Sequence, residues 1–348
     1  MFCLLCRFYA TYYHSPSMRR ITPIVLSALC LSLVACQESL VGSVPPKQVT
    51  IGIQTSPAMA LVMVAQDKGL FQAQGLDVEL KEFTAGKFAL EAFLAGSLDF
   101  AISGDVPPLL AALQGHKFVV PAQLVGRTVN EVRVVVRRDD HAGSAKEYFG
   151  AKKRKLATSI GGGPEFFTYE FLKKLGIPPE NIEIVSQKPG DMPAALVGGS
   201  IDAVAIFDPF AFIAEKQLGN KAATFTDDSI YSELYVLEAH EDSRENPETV
   251  EKLLKGLIAA EKFVQASPDE SKKIVMKYTS LDRATIDGIW SSFDFRITLT
   301  PQLLEYWNRE VLWAKETGKA AATTNVPDFR SYLLTDPLKS IAPERVAL

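Results

Sequence analysis

Two segments about a hundred residues apart carry the same pattern. Gly96-Ser97-Leu98-Asp99-Phe100-Ala101-Ile102-Ser103-Gly104-Asp105 is echoed by Gly199-Ser200-Ile201-Asp202-Ala203-Val204-Ala205-Ile206-Phe207-Asp208. In each, an Ala- and Leu-rich helical run stops at Gly-Ser, an apolar residue and Asp follow, and a short apolar strand ends at an acid close to proline (Pro107 and Pro108, or Pro209). Self-similarity of this kind marks one supersecondary plan used twice. Two copies predict two similar lobes with a cleft between them.

The echo extends upstream. Strand-like runs at Val49 to Ile53 and Lys155 to Ile160 each lead through small residues into a helix, and runs at Asp77 to Phe83 and Asn181 to Gln187 do the same. The first helices stop near Gly69 and at Gly176, where glycine suits a left-handed terminus. Each copy reads strand-helix-strand-helix-strand. Apolar strands alternating with helices predict an α/β fold in which each lobe is a mostly parallel sheet flanked by helices.

The N-terminus predicts export. Arg19-Arg20 precede a weakly polar run from Ile21 to Val34 that ends Leu33-Val34-Ala35-Cys36. A basic start, a short apolar core and small residues before a break describe a secretory signal. The run is shorter than the roughly 20 apolar residues a membrane span needs. Its ending resembles a bacterial lipobox, which implies lipidation of Cys36 and a new N-terminus there; an ordinary cleaved signal is the alternative. Met18 directly precedes the basic pair, so the true start is expected there and residues 1–17 carry no functional reading. Residues 1–36 are thus a leader, and 37–48, with Gly42, Pro45 and Pro46, a tether to the membrane. All four cysteines (Cys3, Cys6, Cys30, Cys36) lie in the leader, leaving no disulfide, thiolate nucleophile or cysteine metal site beyond it.

About 300 residues follow, enough for two lobes with separate cores. Net charge is −4. The densest basic cluster, Lys152-Lys153-Arg154-Lys155, has no interleaved aromatics and reads as a solvated turn, so no nucleic-acid partner is expected.

Ligands of open α/β sheets lie beyond the carboxyl ends of the strands, against helix starts. That rule selects six loops: Gln54 to Met59, Thr84 to Lys87 and Ser103 to Asp105 in the first copy, then Gly161 to Glu165, Pro189 to Met192 and Phe207 to Pro209 in the second. The candidate ligand residues are Gln54, Ser56, Met59, Thr84, Gly86, Lys87, Ser103, Gly104, Asp105, Arg127, Gly162, Gly163, Pro164, Glu165, Asp191 and Asp208. Thr84 to Lys87 offers a hydroxyl, bare amides and a positive charge to an anion, although Lys87 equally reads as an exposed first-turn lysine. Arg127 fits a bidentate grip or a local pair with Glu131. Asp105 and Asp208 read first as helix caps. Glu165, next to Gly162-Gly163-Pro164, would welcome an amine or ring nitrogen. Both charge signs together favour a zwitterion such as an aminoalkyl sulfonate over nitrate. Phe166 and Phe207 read as core.

The ordered set Ile51-Gly52-Ile53-Gln54-Thr55-Ser56-Pro57-Ala58, Ala65-Gln66-Asp67-Lys68-Gly69-Leu70-Phe71, Gly75-Leu76-Asp77-Val78, Ala95 to Asp99 with Gly104-Asp105, Gly199 to Ala203 and Phe207-Asp208-Pro209-Phe210 is similar to ABC-transporter solute-binding proteins. The branch is the one for nitrate, aliphatic sulfonates and taurine, which includes relatives of thiamine-pyrimidine synthases. The resemblance spans about 49–346. It implies a type II periplasmic binding fold in which 49–125 and 226–348 form lobe one and 126–225 lobe two. Crossings are expected near Arg127 to Asn130 and Thr224 to Asp228, with helical patterns at 247–267, 268–278, 283–291 and 301–317 wrapping lobe one's outer face. The implied partners are a small-molecule ligand and permease subunits; a monomer without cofactor or metal is expected. An enzyme like the pyrimidine synthases fits poorly, since only His116, His141 and His240 lie outside the leader, widely spaced. A sensor for a membrane kinase is the third reading.

Overall fold

The computed structural model describes residues 45–127 and 132–348; Cys36 and the rest of the leader lie outside them. The first copy of the repeat gives β1 (Lys47–Gln54), α1 (Ala60–Asp67), β2 (Leu76–Phe83), α2 (Gly86–Leu94), β3 (Phe100–Gly104), α3 (Val106–Leu113) and β4 (Val119–Arg127). After a crossing come β5 (Arg133–Arg137), α4 (Ala145–Ala151), β6 (Arg154–Thr158), α5 (Gly163–Leu175), β7 (Ile182–Ser186), α6 (Met192–Gly198), β8 (Ala203–Ile206), α7 (Phe210–Leu218) and β9 (Ala222–Phe225). The chain returns as β10 (Tyr235–Ala239) and continues through α8 (Glu248–Ala266), α9 (Pro268–Thr279), α10 (Arg283–Ile289), β11 (Phe293–Thr298), α11 (Gln302–Glu316) and α12 (Asp336–Ile341). Among the described residues no helix is long and apolar enough to cross a membrane.

The strands form a six-stranded sheet, β11-β4-β10-β3-β1-β2, and a five-stranded sheet, β7-β6-β8-β5-β9. Each contains a parallel trio, β2-β1-β3 in lobe one and β7-β6-β8 in lobe two.

The repeated Gly-Ser-x-Asp builds the same joint in both. Gly96 and Gly199 end α2 and α6 at φ of 77° and 82°, a left-handed conformation that glycine adopts without a Cβ penalty. The next amide turns back, Ser97 N donating to Ala92 O and Ser200 N to Ala195 O. Each Asp then reaches the first strand of its own parallel trio: Asp99 Oδ2 accepts from Thr50 N at 2.7 Å, and Asp202 Oδ2 from Lys155 N at 2.8 Å. These bonds fix the parallel register, Ile51 opposite Phe100 and Leu156 opposite Ala203.

The sheets are mixed rather than mostly parallel in their pairings. β10 is antiparallel to both its neighbours, and so is β5. The cause is the crossing. β10 starts with Tyr235 opposite Gly104, the last residue of β3, and β5 with Arg133 opposite Ile206, the last of β8. A chain arriving from the other lobe enters at the carboxyl ends of the parallel strands and must run against them.

Two apolar cores result. The first gathers residues of β1 to β4, β10 and the C-terminal helices, with Leu253, Leu257, Ala260 and Val264 as the inward stripe of α8. The second is built on lobe two but also takes in Val106, Tyr231, Trp313 and Ala314. The second half of α11 packs on lobe two, because its apolar arc is too broad for one surface and buries Trp307 in the first core and Trp313 in the second.

Candidate functional site

Loops from both lobes meet where the parallel strands end. Gln54 closes β1 and is buried; its Nε2 donates to Tyr235 Oη at 2.9 Å and Ser56 Oγ at 3.1 Å, while its Oε1 accepts from Gly86 N at 3.1 Å. One amide side chain thus ties the ends of β1 and β10 to the start of α2. Ser56 Oγ also caps the turn at Ala58 N, 3.1 Å away. Met59 is buried in lobe one's core and Thr84 is exposed.

The Thr84 to Lys87 loop is not the bare cradle expected of it. Its Gly86 amide is used by Gln54, and the glycine serves packing, since a Cβ there would lie 2.8 Å from Ser103 Cα. Lys87 instead spans the lobes, donating to Ile160 O at 2.7 Å and standing 4.8 Å over the Phe88 ring. A groove of about 460 Å³ runs beside this contact, walled by Leu90, Leu94, Pro107, Leu110 and Ile160.

The end of β3 holds the densest polar group. Ser103 Oγ bonds Glu238 and lies 3.0 Å from Gly104 O. Burial pushes the Glu238 carboxyl well above its ordinary range, with the Ser103 bond only partly opposing it. Ser103 Oγ is the donor in its bond to the Glu238 carboxyl. Asp105 stands at the N-cap of α3 but its side chain makes no cap bond, contrary to the capping role. It accepts from Tyr231 Oη and lies beside the Glu310 carboxyl, while Trp307 Nε1 donates to its carbonyl at 2.9 Å. Burial raises Asp105 to about 6, against the opposing effect of the Tyr231 and Glu310 bonds.

In lobe two, Gly162, Gly163 and Pro164 form the buried start of α5. Gly163 leaves no room for a side chain: a Cβ would sit 2.6 Å from both Glu233 Oε1 and Tyr231 Oη. On the opposite lobe, a Cβ on Gly104 would sit 2.5 Å from the same Glu233 oxygen. One carboxylate is thus bracketed by the backbones of two lobes.

The remaining acids are engaged or remote. Glu165 accepts from Gly161 N at 2.7 Å and pairs with Lys319 at 2.8 Å, so its charge is balanced by the protein and not held open for an amine. Asp208 is gripped in bidentate fashion by Arg133, at 2.7 and 2.9 Å, and accepts from Phe212 N at 3.2 Å, which gives the first turn of α7 a capping contact. Asp191 is exposed. Arg127 ends β4 opposite Phe293; its side chain lies outside the described residues. Phe166 and Phe207 are buried, and Phe166 stacks edge-on against Tyr231 and Trp313.

Sequence reasoning missed Tyr231, Glu233, Tyr235, Glu238 and Glu310, all from the part of the chain that follows β9. Two signals were available: Glu238 interrupts an otherwise apolar strand, and Glu310 lies on the arc between Trp307 and Trp313.

A profile of the NMT1-like family matches residues 42–279. The chain belongs to the NMT1-like family. This NMT1-like chain is 25% identical over 233 residues to a Brucella abortus protein named as a binding protein, covering 66% of this chain and 70% of that one. It is 24% identical over 249 residues to a Bacillus subtilis protein named for binding aliphatic sulfonates, covering 70% and 73%. Among solved structures, the periplasmic aliphatic sulphonate binding protein SsuA of Escherichia coli superposes with a TM-score of 0.70 at 20% identity, over 82% of this chain and 97% of that one. The NMT1-like chain therefore has the two-lobed periplasmic binding protein fold.

Proposed function

We propose that this chain is the exported, lipid-tethered solute-binding component of an ABC importer, closing its lobes on a small organic sulfonate. The observation that carries the reading is the convergence of Gly104 and Gly163, one from each lobe, on a single carboxylate group. Glycine at both positions lets backbone approach a bound group closely, and Gly163 opens a 13-residue helix whose first amides favour an oxyanion. The sulfonate names among its relatives point the same way. Arg127, at the cleft end of β4, is the candidate charge partner for the sulfonate. The protein's task is capture and delivery without bond chemistry, with permease subunits docking on the rims of both lobes.

Thermal-shift screening against ethanesulfonate, taurine, nitrate and an aminopyrimidine tests the ligand class. A rise in melting temperature with ethanesulfonate or taurine is expected. Stabilisation by the aminopyrimidine alone would overturn the sulfonate reading, and stabilisation by nitrate alone would overturn the organic one. For the tether, Cys36→Ser is expected to move the protein out of the membrane fraction; retention there would rule out lipidation as its cause.

A further inference from the structure

Asp105 and Glu310 belong to different parts of the fold, the start of α3 and the middle of α11, and both are wholly buried. Asp105 Oδ1 has Tyr231 Oη as donor. Asp105 Oδ2 and both Glu310 oxygens find no donor among the described residues, yet the two carboxyls are within hydrogen-bonding reach of each other. Two ionised carboxylates cannot rest in such contact away from water, because each loses its hydration and repels the other. A single proton between them removes the repulsion and gives the remaining carboxylate a hydrogen-bond donor in place of water.

We propose that Glu310 is a positioning residue: by sharing one proton with Asp105 it pins the Ser103–Asp105 strand end of lobe one to α11, and the pin loosens as pH rises. The place matters because α11 reaches into both cores. Trp307, one turn before Glu310, bonds the Asp105 carbonyl, and Trp313, one turn after, packs on Phe166 of lobe two. The groups facing the pair come from several elements. Tyr231 donates to Asp105, Glu233 adds negative charge from the return segment, and Arg309 opposes it from α11 while bonding Ile230 O. Tyr306, one turn earlier on α11, has its hydroxyl held by Gln302. The consequence for ligand binding rests on the strand-end loops being ligand contacts, as proposed above, but the pin itself can be tested without ligand.

In the unfolded chain both carboxyls ionise at about 3.9–4.3. In the folded chain burial lifts Asp105 to about 6 and Glu310 well above the carboxylate range. Between those limits the folded state holds protons the unfolded state has lost, so stability is full below about 4 and falls as pH rises.

The experiment compares urea unfolding of the full chain from pH 5 to 9 for wild type, Glu310→Gln and Asp105→Asn. Either amide donates to the remaining carboxylate without titrating. Relative to both variants, the wild-type folding constant is expected to fall by up to tenfold per pH unit. Parallel profiles would overturn the proposal. A carboxyl infrared spectrum provides a readout independent of folding energetics: a protonated-carboxyl band at neutral pH should weaken in Glu310→Gln, and an unchanged band would equally overturn it.

Discussion

Trp307 and Trp313 lie six residues apart on one helix and are buried in different cores. At 1.5 Å per residue they are about 9 Å apart along the axis, and they point about 120° apart around it. The C-terminal helix α11 is therefore a seam element as well as part of lobe one. It meets α5 again at its end, where Glu316 takes Lys173 at 2.7 Å and Tyr169 at 2.8 Å.

Removing either ring should be costly. Trp307→Ala and Trp313→Ala are each expected to destabilise the protein by about 3–5 kcal/mol, the usual range for deleting a buried tryptophan. Urea unfolding measures both. A loss below about 1 kcal/mol for Trp313→Ala would show that its packing on lobe two does not matter to the folded state.

Gly104 and Gly163 are expected to behave as site residues. The group in the way of a new Cβ is the flexible end of Glu233 (and, for Gly163, Tyr231 Oη as well). Gly104→Ala should therefore fold with a small stability change while ligand affinity drops about tenfold, roughly 1.4 kcal/mol. Calorimetric titration with ethanesulfonate reads the difference. Wild-type affinity in Gly104→Ala would place the ligand elsewhere.

Asp208 tests a buried ion pair. Arg133 bonds it twice and keeps a second partner in Glu215 at 3.1 Å. Asp208→Asn is expected to cost about 3 kcal/mol, the lower end for breaking a buried pair, because Arg133 retains that second carboxylate. Chemical denaturation gives the number, and a neutral result would mean the pair adds nothing net.

Glu238 gives a second pH signature. Burial raises its carboxyl, so Glu238→Gln should be well tolerated while Glu238→Ala removes the carboxyl acceptor of the Ser103 hydroxyl. The folded state holds its proton above the range where the unfolded carboxyl ionises. Wild-type stability should therefore fall with rising pH through that window, and Glu238→Gln should flatten the fall. Melting temperatures from pH 5 to 9 check it.

Much of the fold was legible because its signals are local. Asp99 and Asp202 each follow a helix-ending glycine by three residues, so the joint is read from four consecutive residues even though the strand amides they accept from lie 49 and 47 positions back. The C-terminal helices lie within two residues of their patterns, α8 spanning Glu248–Ala266 and α9 Pro268–Thr279. The site was less legible because its partners are distant. Tyr231 reaches Asp105 across 126 positions and Glu238 reaches Ser103 across 135, and nothing local marks such pairs. Glu165 shows the reverse error: it reads as an open acid, but Lys319, more than 150 residues on, balances it.

The central claim is that two lobes close on a small organic solute. All four cysteines lie within the first 36 residues, so replacing them with serine leaves a chain ready for one added cysteine per lobe. Exposed Glu91 of α2 and Lys188, ahead of α6, are suitable positions for spin labels. Electron–electron distance measurement with and without ethanesulfonate is then direct. A distribution that shortens and narrows with ligand is the predicted result, and an unchanged distribution in a sample shown by calorimetry to be saturated would contradict the account.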